Sequence, residues 1–578
     1  MRIIHLAKAM LIAASATLVT IPATTYANSS AIHSRMATAQ PIWAKHGMVA
    51  SQETLASQIG VDILKQGGNA VDAAVAVGYA LAVTLPRAGN VGGGGFMMVY
   101  LADKDKTIAI DYREMAPSKA HKDMFLNENG DAVSNLSRFH GLAVGVPGTV
   151  MGLNQALNKY GTMSLKQVIN PAVKLAKGGI KVTPDLAVSL NGLKKRLMKW
   201  PSTAEIFFKP DGSSYKIGEV IKQPELAHTL SLIAKNGIDG FYKGETARKI
   251  TKAIQQAGGV MTQADFANYK AVERKPVSGT YRGYKVVSMP PPSSGGVHII
   301  EILNILENFP LDVYGHNTAQ TIHFMAEAMK YAYADRSKHL GDPDFYDIPV
   351  KHLTDKNYAK AIAKKIPFNK ATPSAEILPA SFAPYESNQT THFSVVDKWG
   401  NAVSNTYTLN FSYGSGLVAK GTGVFLNNEM DDFSVKPGVP NGYGLIGGEA
   451  NSVQPGKRPL SSMSPTIVFK DGHPVLVTGT PGGSRIITTT LQIILNVIDF
   501  KLNIAEATNA PRVHHQWFPD ELRVERSLNL DTILLLKKMG YKVKVKSAMG
   551  STQSIEITEK GLFGASDLRK SDGAAIGY

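Results

Sequence analysis

Gln389-Thr390-Thr391-His392-Phe393-Ser394-Val395-Val396-Asp397 is where the texture of the chain changes. Upstream, residues 371–388 are Ala, Pro and Ser with little periodicity, which reads as an exposed linker. From Thr390 the residues become β-branched and aromatic, and this predicts a strand over Thr390 to Asp397. Lys398-Trp399-Gly400-Asn401 is then a turn, and Ala402 to Leu409 is the returning strand. A second hairpin pairs Thr466 to Lys470 with Pro474 to Thr478 across Asp471-Gly472-His473, and Arg485 to Asp499 follows as a helix. Hairpins trailed by helices predict an α+β fold, antiparallel sheet under helical layers, rather than alternating parallel β-α units.

Towards the N-terminus the pattern from Met48 is a strand followed by two Ala-rich helices, Glu53 to Lys65 and Val71 to Val83. Between them Gly67-Gly68-Asn69 supplies a helix stop and an N-cap. Gly92 to Gly95 closes this section, and Phe96 to Ala102 and Thr107 to Arg113 read as strands around Asp103-Lys104-Asp105-Lys106, leaving Arg113 where a strand gives out. Ser134 to Lys370 is mostly helical in pattern, broken by Pro290-Pro291-Pro292-Ser293-Ser294-Gly295-Gly296. At the start of the chain, Arg2 and Lys8 precede an apolar run from Ala9 to Ile21, and Thr25-Tyr26-Ala27 ends in small residues at the positions a signal peptidase reads. Residues 1–27 are therefore expected to be a signal peptide, since this mainly apolar run of 13 residues falls short of the roughly 20 that span a bilayer.

The chain has no cysteine, which removes disulfides, thiolate nucleophiles and cysteine-ligated metals together. Lys+Arg 62 against Asp+Glu 46 gives +16. No basic run or zinc-finger spacing accompanies that charge, so it reads as a solvated basic surface and not as a nucleic-acid site. There is no G-x-x-x-x-G-K-[ST], no H-E-x-x-H and no G-x-S-x-G, and Gly92 to Gly95 lacks the strand-to-helix setting of a dinucleotide fingerprint. His514-His515 has no further ligand at metal spacing. No metal and no cofactor is expected, and covalent catalysis has to use oxygen or nitrogen. A Thr-Thr pair at the head of a strand is by itself ordinary β content.

Four blocks change that reading: T-T-H-F-S-V-V-D from Thr390, L-N-N-E-M-D-D-F from Leu426, K-R-P-L-S-S-M-S-P-T from Lys457 and G-T-P-G-G-S-R from Gly479. In this order they resemble the γ-glutamyltransferase (γ-glutamyltranspeptidase) family, over essentially the whole chain from Met48 to Tyr578. The resemblance implies the αββα four-layer sandwich of N-terminal-nucleophile hydrolases. It also implies a precursor that cuts itself between Gln389 and Thr390 into a large fragment, 28–389, and a small one, 390–578, which pair as a heterodimer within one αββα unit. A freed α-amine on Thr390, with a pKa of about 8, would then serve as base for its own hydroxyl.

By the same resemblance Thr408 hydrogen-bonds the nucleophile, and Gly482 and Gly483 offer backbone N–H groups to the oxyanion. Arg113, with Ser461 and Ser462, takes the donor's α-carboxylate; Glu429 and Asp432 hold its ammonium, and Asn410 adds a polar contact. Pro437 to Gly448 resembles a lid with Tyr443 as its gate. The implied activity is cleavage of glutathione and other γ-glutamyl compounds, with transfer to water, amino acids or peptides, in the periplasm or outside the cell. No membrane anchor and no nucleic-acid partner are expected. A related glutaryl or cephalosporin acylase is the alternative within the fold, and an exported solute-binding protein the alternative outside it.

Overall fold

The computed structural model describes residues 37–378 and 390–578. The expected signal peptide and Gln389 lie outside the described residues. Two antiparallel seven-stranded sheets occupy the middle of the molecule. The first runs Ala574–Gly577, Met48–Ser51, Thr391–Val396, Ala402–Thr408, Gly94–Leu101, Lys106–Tyr112 and Val272–Arg274. The second runs Ile42–Ala44, Gly561–Ser566, Gln553–Thr558, His473–Thr478, Thr466–Lys470, Tyr284–Ser288 and Val277–Tyr281.

Side-chain alternation along the strands makes the layers. Phe96, Met98 and Tyr100 join Ile467, Phe469 and Val477 in a core between the sheets. Met97, Val99 and Leu101, on the other face of the same strand, pack with the helices Thr54–Lys65 and Ala70–Thr84. The far face of the second sheet packs with the helices Gly295–Leu306, Ala319–His339 and Arg485–Ile498. This is the expected order of helix, sheet, sheet and helix. No described helix is long and apolar enough to cross a membrane.

Local signals account for the element ends. Asn69 caps the second helix by accepting from the amides of Val71 and Asp72, and Asp72 returns a bond to the Asn69 amide. Every residue of that helix is buried, because one side lies on the first sheet and the other under further helices. The uniform apolarity follows from this.

Two expectations need correction. Within the stretch read as mostly helical, Val272–Arg274 and Val277–Tyr281 are strands at the edges of the two sheets, and Tyr284–Ser288 is the strand beside the second of these edges. They are short and lack strong alternation, so pairing rather than local propensity makes them strands. The stretch 371–378 is also no exposed linker. Ser374–Ile377 is a helical turn, the Ala371 amide donates to the Met539 carbonyl at 2.7 Å, and Ser374 donates to Asp520 through both its amide and its hydroxyl. Trp517 Nε1 completes the clamp by donating to the Ser374 carbonyl at 3.0 Å.

Candidate active site

Thr391 pairs with Tyr407 in the first sheet, so Thr390 falls opposite Thr408 at the end of the ladder, on the side that faces the second sheet. Its hydroxyl donates to Thr408 Oγ1 at 3.3 Å, and the residue is 3 % exposed. Behind it the gap between the sheets is filled by small hydroxyls and one imidazole. His392 Nδ1 meets Thr406 Oγ1 at 2.8 Å and its Nε2 meets Ser394 Oγ at 3.2 Å. Ser394 donates to the Gln553 carbonyl and Ser404 to the Thr478 carbonyl, tying the two sheets together. Burial pushes the His392 pKa down to about 3, so the ring is neutral. With both nitrogens engaged, it is a cross-sheet spacer and not a base for Thr390.

Thr390 opens into a small cavity that also receives Arg113, Thr408, Asn410, Glu429, Asp432, Tyr443, Ser461, Ser462 and Gly483. Of the expected site residues among those described, only Gly482 is not in its wall. The cavity has two chemically different ends.

The charged end is built on Arg113, directly after the strand Lys106–Tyr112. Its amide donates to Asp111 Oδ1 at 3.0 Å, its carbonyl accepts from the Tyr269 hydroxyl at 2.7 Å, and its Nε donates to the Pro459 carbonyl at 3.1 Å. The two terminal nitrogens donate to Glu429 and Asp432. Those two carboxylates come from the 3₁₀ turn Glu429–Asp432, in which residues three apart eclipse. Met430 and Phe433 pack away into an apolar cluster with Ala116 and Phe125, which directs Glu429 and Asp432 to the cavity. Asp431 turns elsewhere, accepting from Ser137 Oγ and the Gly442 amide.

The charges at this end do not balance. Glu114 lies 3.7 Å from Arg113 with a fully buried side chain, and neither carboxylate oxygen has a hydrogen-bond partner. Burial drives the Glu114 and Glu429 carboxyls well above the usual carboxylate range, against the pull of Arg113. Burial also works against the charge of Arg113, but Glu429, Asp432 and Glu114 outweigh it and raise its pKa. Sequence reading missed Glu114, although its adjacency to Arg113 was the available signal.

The opposite wall is made of hydroxyls and amides. The Ser461 amide donates to the Pro292 carbonyl at 2.8 Å, and the Ser461 carbonyl accepts from the Ser294 amide and hydroxyl, so the stiff 290–296 segment seats this serine pair. Ser462 Oγ accepts from Arg336 at 3.4 Å. Asn410 adopts φ +73°, its Nδ2 donates to the Asn428 carbonyl, and its buried Oδ1 has no partner. Gly483 has φ +59°, and a Cβ there would lie 2.4 Å from the Tyr443 ring, so this close approach requires glycine. Tyr443 lines the cavity, its hydroxyl donating to the Asn410 carbonyl at 2.6 Å, while Asn441 Oδ1 accepts from the Tyr443 and Leu445 amides to shape the loop.

A γ-glutamyltranspeptidase family model matches residues 56–577. The chain belongs to the γ-glutamyltranspeptidase family. It is 59 % identical over 539 residues to the glutathione hydrolase proenzyme of Escherichia coli K12, covering 93 % of each chain. Among solved structures, the cephalosporin acylase of Bacillus halodurans superposes with a TM-score of 0.82 at 29 % identity, covering 94 % of this chain and 98 % of that one. The γ-glutamyltranspeptidase of Helicobacter pylori gives a TM-score of 0.56 at 46 % identity over 60 % of this chain and 97 % of its own. Family membership therefore agrees with the αββα layering and with an N-terminal-nucleophile enzyme.

Proposed function

We propose that the chain is an exported precursor that cuts itself between Gln389 and Thr390 and then acts on glutathione and other γ-glutamyl compounds through an ester on Thr390. The observation that carries this is the sharing of one cavity by the Thr390 hydroxyl and the Arg113, Glu429 and Asp432 charges. In the first reaction Thr390 Oγ1 attacks the Gln389 carbonyl carbon, the C–N bond breaks and an ester forms. Water then hydrolyses that ester, leaving a carboxylate on Gln389 and a free amine on Thr390. The products are the fragments 28–389 and 390–578, held together as a heterodimer.

The new amine takes the proton of its own hydroxyl as Oγ1 attacks the donor's γ-carbonyl. The amides of Gly482 and Gly483 donate to no group among the described residues and are the N–H groups that receive the oxyanion. Collapse expels the leaving amine, which takes the proton back from the Thr390 ammonium. Water, an amino acid or a peptide amine then repeats the attack on the ester and frees Thr390.

At the charged end the donor's α-carboxylate takes the place of one acidic partner at the Arg113 fork, and its α-ammonium meets Glu429, Asp432 and Asn410 Oδ1. This exchange argues against a glutaryl-type acylase. A glutaryl group has no ammonium with which to satisfy two buried acids. Gel electrophoresis of purified protein with N-terminal sequencing of the smaller fragment tests the processing, and turnover of γ-glutamyl against glutaryl anilides tests the substrate. A small fragment beginning at Thr390 and preference for the γ-glutamyl anilide are expected; faster glutaryl turnover would reverse the assignment.

A further inference from the structure

Arg336 stands in the last turn of the helix Ala319–His339 and is 5 % exposed. Three other buried arginines have carboxylates: Arg113 has Glu429 and Asp432, Arg87 has Asp185, and Arg512 has Asp567. No carboxylate of the described residues lies within ion-pair distance of Arg336. Its Nε donates to Ser294 Oγ at 3.0 Å and a terminal nitrogen donates to Ser462 Oγ at 3.4 Å. Burial lowers its pKa to about 10, Tyr333 and Asp432 pull the other way, and Arg113 adds to the lowering. A buried cation supported by hydroxyls alone is an unfavourable arrangement that an incoming anion would relieve.

The anion's place follows from hydrogen-bond direction. Ser462 Oγ already accepts from Arg336, so its own O–H is left as the donor, and Ser462 stands in the cavity wall. A hydroxyl that accepts from a cation is a stronger donor onward. Arg113, by contrast, is already engaged by Glu429 and Asp432, so a donor carboxylate approaching it would have to displace one of them. We propose that Arg336 is a positioning residue that acts through Ser462 to make the serine wall the positive side of the cavity, selecting donors that carry an α-carboxylate. The inference rests on the γ-glutamyl reading above and assigns a residue that the four sequence blocks do not contain.

The test uses the processed enzyme and three competitive inhibitors of γ-glutamyl anilide hydrolysis: L-glutamate, glutarate, which lacks the ammonium, and 4-aminobutyrate, which lacks the α-carboxylate. In Arg336→Gln the inhibition constants of glutamate and glutarate should rise about tenfold while that of 4-aminobutyrate stays within about twofold. KM for the anilide should rise with kcat little changed, and Arg336→Lys should recover part of the loss, because it restores charge without the fork. In a Ser462→Ala background, Arg336→Gln should add less than about twofold if the serine carries the effect. Equal weakening of all three inhibitors, or a fall in kcat with unchanged inhibition constants, would overturn the proposal. If Arg336→Gln fails to fold, the Arg336→Lys and Ser462→Ala inhibitor ratios decide it by the same criterion. Wild-type protein with no turnover of the anilide would instead defeat the functional reading, independently of Arg336.

Discussion

The two ends of the cavity are made from opposite kinds of chemistry. Around Thr390 the side chains are neutral and small: Thr408, Thr406, Ser394, Ser404 and an uncharged His392. Around Arg113 three carboxylates crowd one guanidinium. The difference teaches where each end obtains its missing part. On the proposed reading the nucleophile end, which lacks a base, would gain one by covalent change in its own backbone. The head-group end would have its charges fully expressed only when a zwitterion enters, so that one end would be completed by cutting and the other by binding.

The comparison breaks most sharply at Thr390. Thr390→Ala should leave a single uncut band and depress activity by on the order of 10⁴-fold or more, and two fragments from that variant would remove the hydroxyl from the processing step. Next is Arg113→Lys, which replaces a fork by a point charge and leaves buried acids without their partner. A loss of about 3–5 kcal/mol, or roughly 10²–10⁴-fold in kcat/KM, is expected, while two bands still form on a gel. Failure to self-cleave would mean that the two ends are not separable.

Acid and alkali should also act on the two ends in opposite senses. His392 has a folded pKa below its unfolded value, so its stabilising contribution is complete above about pH 6.5 and is lost as pH falls towards 3, at about 1.4 kcal/mol per pH unit. Glu114 has a folded pKa above its unfolded value, so its contribution is complete in acid and is lost as pH rises from about 4.3 through the folded value. Melting curves of His392→Asn should show a smaller acid loss than wild type between pH 6.5 and 5, by about 2 kcal/mol. Those of Glu114→Gln should gain on wild type between pH 5 and 8. Parallel curves for either pair would contradict the assignment. The smallest effect is expected at Tyr443, where Tyr443→Phe removes one hydrogen bond to the Asn410 carbonyl. That is worth about 1 kcal/mol and a rise of several-fold in donor KM with kcat nearly constant.

The elements nearest the chemistry were the most legible in the sequence. The two hairpins and the helix from Arg485 were read to within a residue or two, because alternation, turn residues and an N-terminal glycine run each pointed the same way. The strands between Val272 and Ser288 were not, since edge strands are fixed by the partner they meet. The family resemblance brought together Arg113, Glu429 and Asp432, but their internal ion pairing was invisible. That Arg113 is matched by the very acids expected to hold the ammonium depends on the 3₁₀ turn Glu429–Asp432 and on Met430 and Phe433 turning away. Arg336 was missed because it matters through burial without a carboxylate partner, which no local pattern encodes, and Glu114, although adjacent to Arg113, matters through the same kind of burial. The docking of 371–378 on Trp517, Asp520 and Met539 was hidden likewise, because Ala, Pro and Ser look the same in a linker and in a clamp.

The strand order of the first sheet has a consequence for a chain cut after residue 389. Ala574–Gly577, Thr391–Val396 and Ala402–Thr408 would belong to one piece, and Met48–Ser51, Gly94–Leu101, Lys106–Tyr112 and Val272–Arg274 to the other. Met48–Ser51 is held on both sides by strands of the other piece. The two pieces would be woven rather than docked, with no flat interface to part. Such a dimer has no dissociation constant distinct from its unfolding equilibrium, so dilution alone would not separate it, and pieces made apart would have to fold around each other to recover the site.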